Sequence, residues 1–302
     1  MNGRLQRIWF VARVALALWV GWRFGVGWGV LTLGLHAAVL ALGFAQLPWV
    51  NRGDVRPTWG QLLRAWRREV VASELAFSWR QPWREWAEPD FLPCSAKTGA
   101  QTGVLLVHGF ACNRGRWNGW MQRLREQGVA FVAPSMEPAF GSIDDYADEI
   151  EAGVRQLEAA TGRPPVLVAH SMGGLALRAW WRQCGASHAV PPRVITLGSP
   201  HGGTRMARFG QGRNARQMRL RSPWVTELTA LTDVDCFWTP CDQIVNPAET
   251  AILPGSRAHR LDGVGHMGLV HSDEAWQCLQ EALRTSNAQA LAVSSDSTPR
   301  RI

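Results

Sequence analysis

The chain has 302 residues, 46% of them hydrophobic, with 17 tryptophans, a single tyrosine and a net charge of +8 carried almost wholly by arginine. That length can bury one sizeable core and leave residues to spare. The charge is spread out, with eleven arginines against six acids in the first 90 residues, and no zinc-finger spacing, RNA-binding aromatic motif or basic heptad helix goes with it, so nucleic acid is excluded as the expected partner. Cys94, Cys112, Cys184, Cys236, Cys241 and Cys278 have no metal-ligand spacing, and scattered thiols of this kind belong to a reduced compartment. Only Cys236 and Cys241 invite a check for a disulfide.

Phe24 to Leu47 contains no Asp, Glu, Lys or Arg, and His36 is its only ionisable side chain. As a helix this stretch spans about 36 Å, enough to cross a hydrocarbon core of roughly 30 Å. It is too long for the apolar region of a secretory signal and lacks a small-residue cleavage site. A second apolar stretch, Ile8 to Trp22, precedes it and contains Arg13, which could snorkel to the interface. Trp9, Trp19, Trp22, Trp28 and Trp49 flank the two, where indole rings favour the headgroup layer. A transmembrane anchor over residues 1–50 is expected, as a hairpin with Arg4, Arg7, Arg52 and Arg56 on the cytoplasmic side and only Arg23 in the turn. A single span that leaves the remaining chain outside is the alternative.

Residues 51–93 form a linker rich in Trp and Arg. Trp59, Leu62, Leu63 and Trp66 recur at helical spacing among Arg64, Arg67 and Arg68. This pattern suits a basic helix on the membrane surface, or equally a helix that covers a globular core. Pro82, Pro89 and Pro93 then break the chain.

From about residue 94 to 285 short apolar runs alternate with amphipathic stretches. The runs are Gly103–Val107, Val129–Val132, Val166–Ala169, Val194–Leu197 and Val234–Trp238, and helical patterns lie near 115–127, 143–160 and 173–184. Ser142 with Asp145 reads as a capping box. Such alternation predicts an α/β fold, a mainly parallel sheet flanked by helices, with ligands at the carboxyl ends of its strands.

Chemistry is therefore sought just after each run. Val166–Ala169 is followed by His170-Ser171-Met172-Gly173-Gly174. Ala169 and Gly173, two residues either side of Ser171, are small enough for the tight strand–turn–helix of a nucleophile elbow. Gly103–Val107 is followed by His108-Gly109-Phe110. Acyl transfer needs two backbone N–H groups aimed at the developing oxyanion, and Met172 and Phe110 can supply them, with Gly109 permitting close approach. His108, Gly109 and His170 are the expected substrate-binding neighbours.

These two motifs, together with Leu197-Gly198-Ser199-Pro200-His201-Gly202-Gly203-Thr204, closely resemble the bacterial triacylglycerol lipase and esterase branch of the α/β-hydrolase superfamily over roughly residues 100 to 285. Ala169 stands where many lipases have glycine. The resemblance implies the α/β-hydrolase fold and a triad in the order Ser, acid, His. Asp242, in Pro240-Cys241-Asp242-Gln243, best matches the family's acid loop, ahead of Asp233, Asp235 and the outlying Glu249. His266, within Gly263-Val264-Gly265-His266-Met267-Gly268, matches the histidine loop, with His271 as the alternative. The implied activity is cleavage of carboxylic esters, those of lipids or acylglycerols, without metal or organic cofactor, at a bacterial inner membrane with the domain cytoplasmic. The same triad could serve an acyltransferase, and a scaffold without catalysis stays open on fold alone.

Residues 202–230 form an insertion that carries Arg205, Arg208, Arg213, Arg216, Arg219 and Arg221, expected to be a mobile cap over the acyl pocket with its arginines facing lipid phosphates, or equally a solvated arginine face. The polar tail, 286–302, is expected to be disordered.

Overall fold

The structure, a computed structural model, describes residues 2–93 and 101–296, with side chains up to residue 288. Six strands form one parallel sheet in the order β2-β1-β3-β4-β5-β6. They are β1 (Val104–Val107), β2 (Phe131–Val132), β3 (Val166–His170), β4 (Arg193–Leu197), β5 (Asp233–Trp238) and β6 (Arg257–Arg260). Each apolar run becomes a strand because it is buried on both faces, as in β1 and β3, where every residue is buried. Val129–Val132 contributes only its last two residues. That short edge is closed by Phe91 of the linker, which exchanges two main-chain hydrogen bonds with Phe131.

Helices cover both faces. Ala147–Thr161 and Met172–Cys184 pack Ile150, Val154, Leu157, Leu175 and Ala176 on one side. Asn118–Glu126 and the last helix pack Met121, Leu124, Trp276 and Leu279 on the other. The Ser142–Asp145 capping box is present and opens the 3₁₀ turn before Ala147. Chain order reverses between β1 and β3, so their carboxyl ends, at His108 and His170, frame the switch point where such sheets take ligands.

The N-terminal segment folds as two antiparallel helices, α1 (Asn2–Phe24) and α2 (Val26–Ala45), joined at Gly25, whose φ of 109° suits glycine. Val26–Val50, with mean hydropathy 1.8, is long and apolar enough to cross a membrane, and it alone is so among the described residues. Arg13 does not reach outward. It makes two hydrogen bonds to the Glu74 carboxylate, at 2.7 and 2.8 Å, and one to Ser78.

The third helix, α3 (Trp59–Glu74), begins with a Thr58–Gln61 capping box. It buries Leu62, Ala65, Glu69, Ala72 and Ser73, a stripe at helical spacing, against the sheet domain and the hairpin. Leu63, Arg64, Arg67 and Arg68 face outward, so the helix both covers the core and presents a basic outer face. The last helix continues to Asp296. Residues 286–296 are therefore helical rather than disordered, and 297–302 lie outside the described residues. Cys236 and Cys241 are both buried free thiols, and Cys94 lies outside the described residues.

Candidate active site

Ser171 stands between β3 and the helix Met172–Cys184 with φ 57° and ψ −129°, a conformation a non-glycine residue adopts only where its surroundings impose it. The packing leaves no freedom beside it. A Cβ on Gly173 would lie 2.6 Å from the Val107 carbonyl oxygen, and one on Gly109 would lie 2.8 Å from Ser171 Cβ. The short residues around the serine are thus required by close approach of the β1 and β3 ends. Met172 N–H opens the helix, among the donors that a helix N-terminus leaves without intrahelical partners. Phe110 follows Gly109 in a turn closed by Cys112 N–H to Gly109 O, and its own N–H has no acceptor among the described residues.

Asp242 and His266 meet at the end of β5 and after β6. His266 Nδ1 lies 2.8 Å from Asp242 Oδ2, with both side chains buried. Asp242 Oδ1 accepts from Ile244 N–H and Val245 N–H at 2.8 and 2.7 Å, which fixes the carboxylate plane. Burial disfavours a charged imidazole. The charge and hydrogen bond of Asp242 outweigh it and hold His266 above its ordinary pKa of 6.5. The pair adjoins Ser171 through Gly198. Ser171 N–H donates to Leu197 O, and a Cβ on the next residue, Gly198 (φ 58°), would sit 3.1 Å from both His266 Nδ1 and Asp242 Oδ2.

The rest of the Leu197–Thr204 motif is bracing. Ser199 packs on Gly174, His201 Nε2 meets Thr196 Oγ1, and Thr204 Oγ1 donates to Ile244 O beside the acid loop. His108 is bracing as well. Met136 N–H donates to its Nε2, so Nδ1 carries the proton and donates to Gly109 O, and burial lowers its pKa to about 4. With both ring nitrogens engaged, it shapes the loop from behind and has no nitrogen left for substrate. His170 is also buried. Its ring lies 4.7 Å from that of His266, and its Nε2 is 3.2 Å from His266 O.

The other candidates lie elsewhere. Asp233 and Asp235 pair with Arg193 and Arg257 at the sheet edge. Glu249 is exposed, and His271 lines an open cleft with Arg64 and Arg80.

One participant escapes a reading of local motifs. Glu69, on the buried face of α3, reaches under the histidine loop. Its carboxylate accepts from Met267 N–H at 2.8 Å, Gly268 N–H at 3.1 Å and Gln243 Nε2 at 2.6 Å. The buried Arg116 guanidinium takes the Met267 carbonyl from the other side. Burial pushes the Glu69 carboxyl up from its ordinary range, while these donors and His266 pull it back. Glu69 is a positioning residue for the His266 loop. In Glu69→Gln an amide N–H₂ faces at least one donor it cannot satisfy, a cost of about 1–3 kcal/mol, or roughly 10- to 100-fold if it falls on the reactive geometry. The expected result is that drop in kcat with a displaced acid limb of the pH–rate profile. A drop with the limb unmoved would reduce Glu69 to a structural brace.

Residues 104–232 match the alpha/beta hydrolase family. A lipase of Bacillus licheniformis in its mature form superimposes with a TM-score of 0.52 at 18% identity, over 63% of this chain and 95% of that one. Lipase B of Aspergillus fumigatus gives a TM-score of 0.51 at 15% identity, over 62% of this chain and 53% of that one. No curated protein matches the sequence. At these identities the structural likeness is one of fold, and it agrees with the sheet order and elbow described above. The chain therefore has the α/β-hydrolase fold seen in these lipases, and its residues 104–232 are similar to the alpha/beta hydrolase family.

Proposed function

We propose that the protein is a membrane-anchored serine hydrolase of carboxylic esters, with lipid esters such as acylglycerols as its substrates. The observation that carries the reading is the buried Asp242–His266 pair, 2.8 Å apart, seated beside the strained elbow of Ser171. His266 takes the Ser171 proton as the hydroxyl oxygen attacks the acyl carbonyl. Asp242 holds the imidazole tautomer and stabilises its cation. Met172 and Phe110 N–H groups receive the oxyanion. His266 then protonates the departing alcohol, and water, activated by the same base, releases the acid.

Membrane anchoring is supported by the hairpin's outer face, where Ile8, Val11, Leu18, Val30, Leu31, Val39 and Leu42 are exposed. Exposed Trp19, Trp22 and Trp28 sit near its tip, and Trp49 and Trp59 pack edge to face at its base. The 20 residues of α2 separate these belts by about 30 Å. The base carries Arg4, Arg7, Arg52 and Arg56, which favours the cytoplasmic side for the catalytic domain.

Lipid substrates agree with the names of the two lipases of like fold. They predict that turnover in detergent rises with acyl length across an ester series; a preference for the shortest chain would contradict the lipid assignment. All six arginines of the 202–230 segment are exposed, as a phosphate-facing cap requires. Replacing Arg205, Arg208 and Arg216 with glutamine should raise KM for anionic lipid esters, each surface contact being worth roughly 1 kcal/mol. An unchanged KM would remove the phosphate role.

A further inference from the structure

The two feet of the hairpin stand on the loops that carry the proposed chemistry. At the α1 foot, Gln6 Nε2 donates to Ala111 O at 2.9 Å and Asn2 Nδ2 donates to Cys112 O at 2.7 Å, just past the oxyanion turn. At the α2 foot, Asn51 Nδ2 donates to Pro240 O at 2.9 Å, two residues before Asp242. Phe44 and Leu47 pack there with Leu62, Ala65 and Cys241. Between α1, α3 and the oxyanion turn lies a cavity of about 340 Å³. That is near the lower bound of the roughly 300–1,000 Å³ typical of small-molecule sites.

Leu5, Trp9, Phe77, Ala139 and Phe140 supply its apolar wall. Most of its polar side-chain groups are already engaged, with Asn2 Oδ1 and Arg13 Nε left without a partner among the described residues. Arg13 is bound by Glu74, His36 Nε2 by Ser73 Oγ at 2.9 Å, and Gln6 by Ala111 O. Such a wall offers a ligand hydrocarbon contact and no charge to neutralise, which selects an alkyl chain over a polar group. Leu5, Trp9 and Phe140 are 45%, 61% and 52% exposed, so the mouth opens on the side that carries the apolar outer face of the hairpin. The inner end reaches Ala111, and Gly109, two residues earlier, touches Ser171. Two residues of chain span at most about 7 Å. Phe110, between them, stacks edge to face on Phe140 with ring centroids 5.6 Å apart.

We propose that this cavity is the acyl-chain site, and that the chain enters it sideways from the bilayer along α1. The anchor then forms part of the substrate site rather than only tethering the enzyme. This rests on the Ser171 reading. It assigns the chain to the hairpin side and away from the space beneath the 202–230 segment, which abuts Phe140 through Gly212 and donates from Asn214 N–H to Gly141 O.

The test uses full-length protein in detergent and an alkyl fluorophosphonate with a photoreactive diazirine near the end of a long alkyl tail. Ser171 Oγ displaces fluoride from phosphorus and gives its proton to His266, so the tail is fixed at the site before illumination. Crosslinks mapped to Leu5, Trp9, Phe77 or Phe140 are the expected result. A Ser171 adduct whose tail crosslinks within 202–230 would overturn the cavity assignment and leave the nucleophile standing. Absence of a Ser171 adduct would overturn both. Independently, Leu5→Trp should lower the ratio of kcat/KM for long over short acyl esters about tenfold, the effect of excluding about two methylenes. An unchanged ratio in a variant that still labels would contradict the site.

Discussion

Ser171→Ala is expected to lower ester turnover by roughly 10⁶-fold, because no other group near the elbow can attack the acyl carbon. Residual catalysis from oxyanion binding should persist at about 10³- to 10⁴-fold over water. The backbone explains why this substitution reports on chemistry and not on folding. Alanine keeps the Cβ, so the strain at φ 57° is the same in both proteins, and the serine hydroxyl makes no hydrogen bond to a neighbouring loop among the described residues. Thermal stability should stay within about 0.5 kcal/mol of the parent. Kinetics in detergent beside a melting curve check both halves. Turnover that survives the substitution would place the nucleophile elsewhere.

Asp242→Asn is expected to cost about 10⁴-fold in kcat with the fold intact. One carboxylate oxygen takes the Ile244 and Val245 N–H groups, and the other takes His266 Nδ1–H. An amide can keep its oxygen toward only one of these sides. Turned toward the main chain it presents N–H₂ to His266 and forces the wrong tautomer. Turned the other way it leaves two N–H groups, that of Val245 buried, facing a donor.

The pH profile gives the same substitution a second readout. In the proposed mechanism His266 must be neutral to accept the Ser171 proton, and Asp242 holds its pKa above 6.5. In the parent enzyme kcat/KM therefore rises with pH through a limb above 6.5. Without the carboxylate burial is the largest remaining influence and disfavours the cation, as does Arg116, with Glu69 opposing them, so the limb of the residual activity should move to lower pH. A limb that stays in place would show that His266 is not the titrating base.

Much of this site is legible in the sequence because its parts are local. The central strands β1 and β3 are led by continuous apolar runs, since a parallel sheet buries both faces. Ser171 and His266 are marked by glycines, and for the serine their necessity shows in the close contacts of Gly173 and Gly109. Val129 and Ala130 mislead because the edge strand pairs through only two residues, and what closes the edge is Phe91, distant in sequence. Ala288 to Val293 belongs to a helix although its surroundings look like a polar tail, because alanine and leucine carry helix propensity that a count of polar residues overlooks.

Glu69 is not legible for a different reason. In the sequence the stripe of α3 stands out by its large residues, Trp59, Leu62, Leu63 and Trp66, whereas the buried stripe runs through Leu62, Ala65, Glu69 and Ala72. An acid on a stripe of small residues is the available signal. Its partners at Met267 and Gly268 are nearly two hundred residues away. Arg13 likewise reads as an interfacial charge because Glu74 lies 61 positions along the chain. Both pairings join segments far apart in the chain, which no local window could reveal.

The central claim is that Ser171 is an activated nucleophile. The most direct test is intact-mass and peptide analysis of the folded, detergent-solubilised protein after treatment with a simple fluorophosphonate. The account predicts one adduct, on the peptide that contains Ser171, lost in Ser171→Ala and slowed in Asp242→Asn. A folded parent protein that takes up no adduct, or carries it on another residue, would contradict it.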